Sequence, residues 1–213
     1  MSKIIIHGGF FSESSTNIET KIAKQQALLR IVKDSYAYLQ NHSALETVVY
    51  AVSQLEDDEL FNAGIGSQIQ SDGKIRMSAS LMDGESQKMS GVINIEEVKN
   101  PIQVAQVLMQ VDDRILGGSG ATNFARKHGF ESFSTEIPQR RAEYEAKLAS
   151  LGTGTVGCVA LDKNGKIAVA TSTGGKGFEI PGRISDSATV AGNYANEFCG
   201  VSLTGVGEDI VSN

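Results

Sequence analysis

Thr155 follows Gly154 inside the run GTGTVG (residues 152–157), and a β-branched stretch begins at the threonine. A small, conformationally free residue before a hydroxyl residue at a strand start is what an N-terminal nucleophile requires. The hydroxyl can attack the preceding carbonyl and shift the acyl group from nitrogen to oxygen, and water can then cleave the ester. Thr155 would be left with a free α-amine of ordinary pKa about 7.7–8.0, a general base beside its own hydroxyl. On spacing alone, a plain turn entering a strand is the simpler explanation of Gly154-Thr155. The same six residues also spell G-x-G-x-x-G. A dinucleotide loop must follow a strand and open a helix, because the phosphate rests on the helix N-terminus. Here a helical or flexible segment precedes the glycines and a strand follows, so the fingerprint fails. GGSGATNF (117–124) does precede a helix and could cradle an anion, although a glycine-rich turn accounts for it as well.

Arg183 and Asp186, three residues apart in GRISD, offer a second kind of chemistry. A guanidinium fork matches an α-carboxylate in bidentate fashion, and a carboxylate matches an α-ammonium. The pair could equally neutralise itself in solvent. His7, His42 and His128 lack metal-ligand spacing and read as structural. Cys158 and Cys199 are too few for a disulfide framework or a cysteine zinc site.

The elements that must position these groups follow from periodicity. KIII (3–6) reads as a short buried strand. A helix beginning near residue 14 carries Ile18, Ile22, Leu28, Leu29 and Val32 as its core-facing set. A second helix opens at Ser43 with Glu46 three residues on, a capping box, and has Leu45, Val48, Val49 and Val52 on its apolar face. IGSQIQ and IRMSASLMD flank SDGK as a hairpin. GVINI (91–95) reads as another strand, Asn100-Pro101 as a helix start, and GATNFARKHG as a helix ending at His128-Gly129. Residues 131–150 form a surface helix or a linker. TVGCVALD, the turn KNG, KIAVATST and NEFCGVSLTG return to strand. Hairpin connections in both strand groups imply an α+β fold with mainly antiparallel sheets covered by helices, in a single domain over 1–213.

Composition narrows the class. The 213 residues are 40% hydrophobic and 21% charged, with a net charge of −6. That is an ordinary globular composition without the basic footprint of a nucleic-acid binder. No apolar run approaches a membrane span of about 18 residues, and KIII is too short for a signal-peptide core. Two cysteines and no leader point to the cytoplasm.

Several segments together resemble the plant-type asparaginase and isoaspartyl peptidase family: GTVGCVALDKNGKIAVATSTGG, PGRISDS, LTGVGE, IIIHGG, LFNAGIGSQIQSDGKIRMSASLMDG, VKNPIQVAQVLM and GGSGATNFARKHGF. The likeness covers essentially the whole chain. It implies an N-terminal nucleophile hydrolase with an αββα sandwich, matured by scission of the Gly154–Thr155 bond into an α segment (1–154) and a β segment (155–213). It also implies site residues: Thr155 as nucleophile, Thr173 beside it, and Asn62 in support. Arg183 and Asp186 become the clamp for the amino-acid end of the substrate. Thr204 and Gly205 form the oxyanion hole, with Gly207 shaping the pocket. The loop LEDDELFNAGI would hold a structural sodium through backbone carbonyls of Leu55, Glu56, Asp58, Phe61, Ala63 and Ile65. The acidic side chains of Glu56, Asp57, Asp58 and Glu59 are not needed for that and read as solvated. No organic cofactor is implied, and two precursors are expected to pair.

The activity so implied is hydrolysis of L-asparagine and β-aspartyl dipeptides. A glycosylasparaginase, or an unprocessed or incomplete non-catalytic homologue, are the alternatives. Phe10 and Phe11 after HGG, and Ser78 where an acidic residue is common, depart from the pattern. So does the ending: family chains continue beyond TGVGEDIVSN, so a C-terminal part of the sandwich is expected to be missing.

Overall fold

The computed structural model describes residues 1–9, 17–146 and 154–212. Phe10 and Phe11, the 147–150 end of the polar segment, and Gly152 and Thr153 of the glycine run lie outside them. A six-stranded sheet forms the centre, with strand order β1-β5-β6-β2-β3-β4. Its strands are β1 (Lys3–His7), β2 (Met77–Asp83), β3 (Lys88–Ile95), β4 (Ile115–Gly117), β5 (Thr155–Leu161) and β6 (Ile167–Thr173). Every pairing is antiparallel except that of β3 with β4. A smaller hairpin, β7 (Asn193–Ala195) and β8 (Gly200–Ser202), makes a second sheet.

Alternation along the strands assigns the two faces. Val156, Cys158, Ala160, Ala168 and Ala170 point into the main core, under the helices. Thr171 and Val169 point the other way, where Thr171 Oγ1 donates to Asn193 Oδ1 (2.9 Å) and Val169 packs with Met82 and Ala195. Helices and hairpin thus sandwich the central strands, as the α+β expectation requires. The last described element, α6 (Gly207–Ser212), follows the hairpin.

Helix α2 (Ala44–Glu56) forms as its sequence dictates. Ser43 Oγ accepts from the Glu46 N–H, and Glu46 reaches back to the Ser43 N–H. Val48, Val49 and Val52 are buried; full burial of such side chains stabilises by about 1.5–3 kcal/mol each. Helix α1 (Ile18–Leu39) exists as expected, capped by Asn17, but docks by a different face. Ile18, Ile22 and Leu29 are exposed, and Ala27, Ile31, Ser35 and Leu39 are buried instead, four residues apart along one stripe.

The expected hairpin at SDGK is only half correct. The tight turn is there, with the Gln70 N–H donating to Lys74 O and the Gly73 N–H to Gln70 O. Residues 67–70 are not a strand; β2 pairs instead with β3 and β6. Helix α3 (Pro101–Leu108) begins with proline at its first turn, yet Asn100 gives it no side-chain cap. The Asn100 amide turns back to Asp57 Oδ1 at 3.0 Å. Helix α4 (Gly118–Lys127) ends at His128, and α5 (Pro138–Glu145) resolves the polar segment as a surface helix with no buried residue.

Candidate active site

The nucleophile candidate sits at the first residue of β5, opposite Thr173, the last residue of β6. Both side chains fall on the hairpin face of the sheet and both are buried. With the 154–155 peptide bond in place, the carbonyl oxygen of Gly154 accepts two hydrogen bonds. Asn62 Nδ2 donates at 2.8 Å and Thr173 Oγ1 at 3.2 Å. Asn62 is itself fixed: its Oδ1 accepts from the Gln68 N–H at 3.0 Å, and its Nδ2 also reaches Gly175 O at 2.5 Å. Thr173 Oγ1 accepts from the Gly175 N–H at 3.2 Å. Thr155 Oγ1 lies 3.3 Å from Ser187 Oγ, a residue whose carbonyl is anchored by Ser80 Oγ at 2.6 Å.

Gly9 closes the approach from β1. It has φ +111°, and a Cβ there would lie 2.8 Å from Gly154 Cα, so the HGG segment of the sequence is a backbone that must pass close to the candidate scissile bond. Gly154 itself avoids the left-handed region; its constraint is spatial, with Asn62 Cβ 3.2 Å from where a side chain would start.

A cavity of about 200 Å³ opens beside this bond, lined among others by Gly154, Thr155, Thr173, Arg183, Asp186 and Gly205. Arg183 and Asp186 do not neutralise each other through a hydrogen bond. The guanidinium is forked onto Glu208, with Nε to Oε1 at 2.7 Å and Nη2 to Oε2 at 3.0 Å. Asp186 is buried, and burial raises its carboxyl above the ordinary value against the pull of nearby Arg183. Its Oδ2 has no hydrogen-bond partner among the described residues, and a Cβ on Gly207 would sit 2.7 Å from its Oδ1. A buried carboxylate without a cationic hydrogen-bond partner is costly unless something supplies one. An α-ammonium group does so.

Gly205 and Gly207 line the cavity; Thr204 adjoins Gly205 in the chain but is not part of the wall. Asn62, which donates to Gly154 O, is likewise not among the lining residues.

The sequence alone does not single out Ser187, Glu208 and Lys176. Ser187 and Glu208 each directly follow a residue that the family motifs single out, and Lys176 follows TSTGG, so adjacency was the available signal. Glu56, which reads as solvated from the sequence, is not. Glu56 is fully buried behind β6, where Oε1 accepts from Ser172 Oγ (2.7 Å) and the Ile102 N–H (3.1 Å). Burial pushes its carboxyl up to about 8. Of the other acidic side chains of that loop, Asp57 pairs with Lys99 and Asp58 with Arg30.

His7 lies across from Gly157 on β1, its Nε2 2.9 Å from Ser202 Oγ, and burial lowers its imidazole to about 4. It is therefore neutral near pH 7. Cys158 is buried on the helix side, and burial pushes its thiol up, away from a reactive thiolate. Among the described residues no group of three or more His, Cys, Asp or Glu side chains is arranged to hold a metal ion. No helix among them is long and apolar enough to cross a membrane.

A family model described as "Asparaginase" matches residues 1–149 and 134–213, both sides of the Gly154–Thr155 bond. The chain belongs to the asparaginase family. It is 47% identical to "Isoaspartyl peptidase/L-asparaginase" of Synechocystis, with 99% of this chain and 69% of that protein covered. It is 37% identical to "Isoaspartyl peptidase" of Escherichia coli, over 96% of this chain and 71% of the other. It is 36% identical to "Plant-type L-asparaginase" of Pyrobaculum calidifontis, over 99% and 76%. Asparaginase family membership makes the chain a hydrolase of the plant-type and isoaspartyl peptidase group, in line with its motifs.

Proposed function

We propose that this protein is a self-processing amidohydrolase that cleaves L-asparagine to aspartate and ammonia, and β-aspartyl dipeptides to aspartate and an amino acid. The observation that carries the reading is the pair of donors on Gly154 O, next to a cavity lined by a half-buried arginine and a buried aspartate. In the first reaction, Thr155 Oγ1 attacks the Gly154 carbonyl carbon and loses its proton. Negative charge develops on Gly154 O, where Asn62 Nδ2 and Thr173 Oγ1 already point; one such donor is typically worth about 10²–10³ in rate. The C–N bond breaks, the amine takes up the proton, and water hydrolyses the ester. Gly154 becomes a carboxylate terminus and Thr155 a free amine terminus.

In the second reaction the Thr155 amine accepts the hydroxyl proton and Oγ1 attacks the β-carbonyl of the substrate. Thr204 and the Gly205 N–H receive the developing oxyanion. Ammonia or the amino acid leaves with the proton, and water releases aspartate from the threonine ester. Arg183 takes the α-carboxylate and Asp186 the α-ammonium, which both substrate types share. The same amino-acid end in both explains why one site serves two substrates.

The loop of residues 55–65 is suited to a sodium ion. It closes on itself through Ile65 N–H to Glu56 O (2.7 Å) and Phe61 N–H to Asp58 O (3.1 Å). The backbone carbonyls of Leu55, Glu56, Asp58, Phe61, Ala63 and Ile65 are neutral hard donors of the kind such an ion takes. A cytoplasmic location accords with the two unpaired cysteines, and pairing of two precursors completes the proposal. Intact-mass spectrometry of purified protein tests the core of it. A new chain starting at Thr155, together with asparagine turnover, is expected, and Thr155→Ala abolishes both. Persistence of either in that variant overturns the reading.

A further inference from the structure

The Arg183 guanidinium is nearly buried, with 15% of its side chain exposed, yet its hydrogen-bonding edge is only half used. Glu208 takes the side-on edge, Nε and Nη2, in a fork at 2.7 and 3.0 Å. Among the described residues Nη1 has no hydrogen bond. A guanidinium presents five donors in one plane, so a carboxylate on the Nε–Nη2 edge leaves the Nη1–Nη2 edge open for a second one. Lys176 Nζ lies 3.5 Å from Glu208 Oε1, so two cations share this one carboxylate. The trio carries a net charge of +1 beside the buried Asp186, a complement to the two charges of an α-amino acid end.

We propose that Glu208 is a positioning residue for substrate binding: from the same cavity wall it holds the Arg183 plane so that the free edge faces the cavity, and Lys176, also in that wall, steadies it through Oε1. This rests on the amidohydrolase reading above. A guanidinium on a flexible stem gains affinity for a carboxylate when its plane is fixed beforehand, because less rotamer entropy is lost on binding. Arg183 already pairs with a resident carboxylate, so the arriving substrate need not displace it. The alternative, Glu208 as a plug in the substrate's own slot, makes the opposite prediction for affinity.

The experiment compares wild type, Glu208→Gln and Glu208→Asp. Scission at Thr155 is followed by intact mass, and kcat and KM are measured for asparagine and a β-aspartyl dipeptide. L-aspartate binding is measured by calorimetry. Scission does not use the clamp, so all three proteins are expected to cleave alike. Glu208→Gln is expected to raise KM and the aspartate Kd by about tenfold, or 1.4 kcal/mol, with kcat within about threefold. Glu208→Asp, which keeps the charge one methylene shorter, recovers part of the loss. Unchanged or tighter binding in Glu208→Gln overturns the proposal. A wild type that binds aspartate but turns nothing over refutes the activity and leaves the binding comparison as the test. A wild type that neither binds aspartate nor turns over either substrate overturns both. One that turns over substrate without binding aspartate overturns the positioning proposal if KM in Glu208→Gln is also unchanged.

Discussion

Thr173→Val isolates one of the two donors on the scissile carbonyl. Valine keeps the shape of a buried side chain and removes only the hydroxyl that donates to Gly154 O at 3.2 Å. Asn62 Nδ2 at 2.8 Å remains and makes the better bond of the two. Loss of one oxyanion donor costs about 10²–10³ in rate, and the longer bond belongs at the lower end, about 10² or 2.7 kcal/mol. The hydroxyl also accepts from the Gly175 N–H, so the variant leaves one backbone donor unpaired, worth about 1–3 kcal/mol of stability. The assay follows the Thr155-initiated chain over time after rapid purification, at fixed temperature, beside a thermal melt of each protein. Thr173→Ser retains the hydroxyl and is expected to cleave within a few-fold of wild type. A folded Thr173→Val that matures at the wild-type rate would show that this hydroxyl takes no part in scission.

Three further outcomes follow from groups around the site. The folded pKa of Glu56, about 8, lies above its ordinary 4.5, so its contribution to stability is complete below about pH 4.5 and is lost as pH rises toward 8. The slope is about 1.4 kcal/mol per pH unit in that window, and urea unfolding from pH 5 to 8 should show it in wild type and not in Glu56→Gln. Gly9→Ala forces a side chain into φ +111° and against Gly154, so it should destabilise by about 1–3 kcal/mol and slow maturation; an unchanged melt and cleavage rate would contradict this. Melts in sodium chloride and in choline chloride at equal ionic strength should differ, with higher Tm in sodium; equal curves count against ion binding in the 55–65 loop.

Much of this fold is written locally. The Ser43–Glu46 cap, the proline opening α3 and the KNG turn each act within a few residues, and each appears where its chemistry places it. The docking face of α1 does not, because a 22-residue helix carries more than one apolar stripe and only the tertiary neighbours choose between them. Residues 67–70 alternate like a strand, but Gln70 spends its backbone on the turn at Lys74 and its side chain on Arg76. At the site, Thr155, Thr173, Arg183 and Asp186 were legible as motifs. The Arg183–Glu208 fork spans 25 residues, and the buried Glu56 meets Ser172 across 116; neither pairing has a local signature.

The strand order has a mechanical consequence for the proposed maturation. β5 and β6, which follow the Gly154–Thr155 bond, lie between β1 on one side and β2 on the other, both of which precede it. The two products of the proposed cut would therefore be interleaved like the fingers of clasped hands, and every rung joining β1 to β5 or β6 to β2 would tie one to the other. Such a scission would change the covalent count without giving either polypeptide a route of escape. The new terminus would be born inside a scaffold held together by its strand pairing until it unfolds.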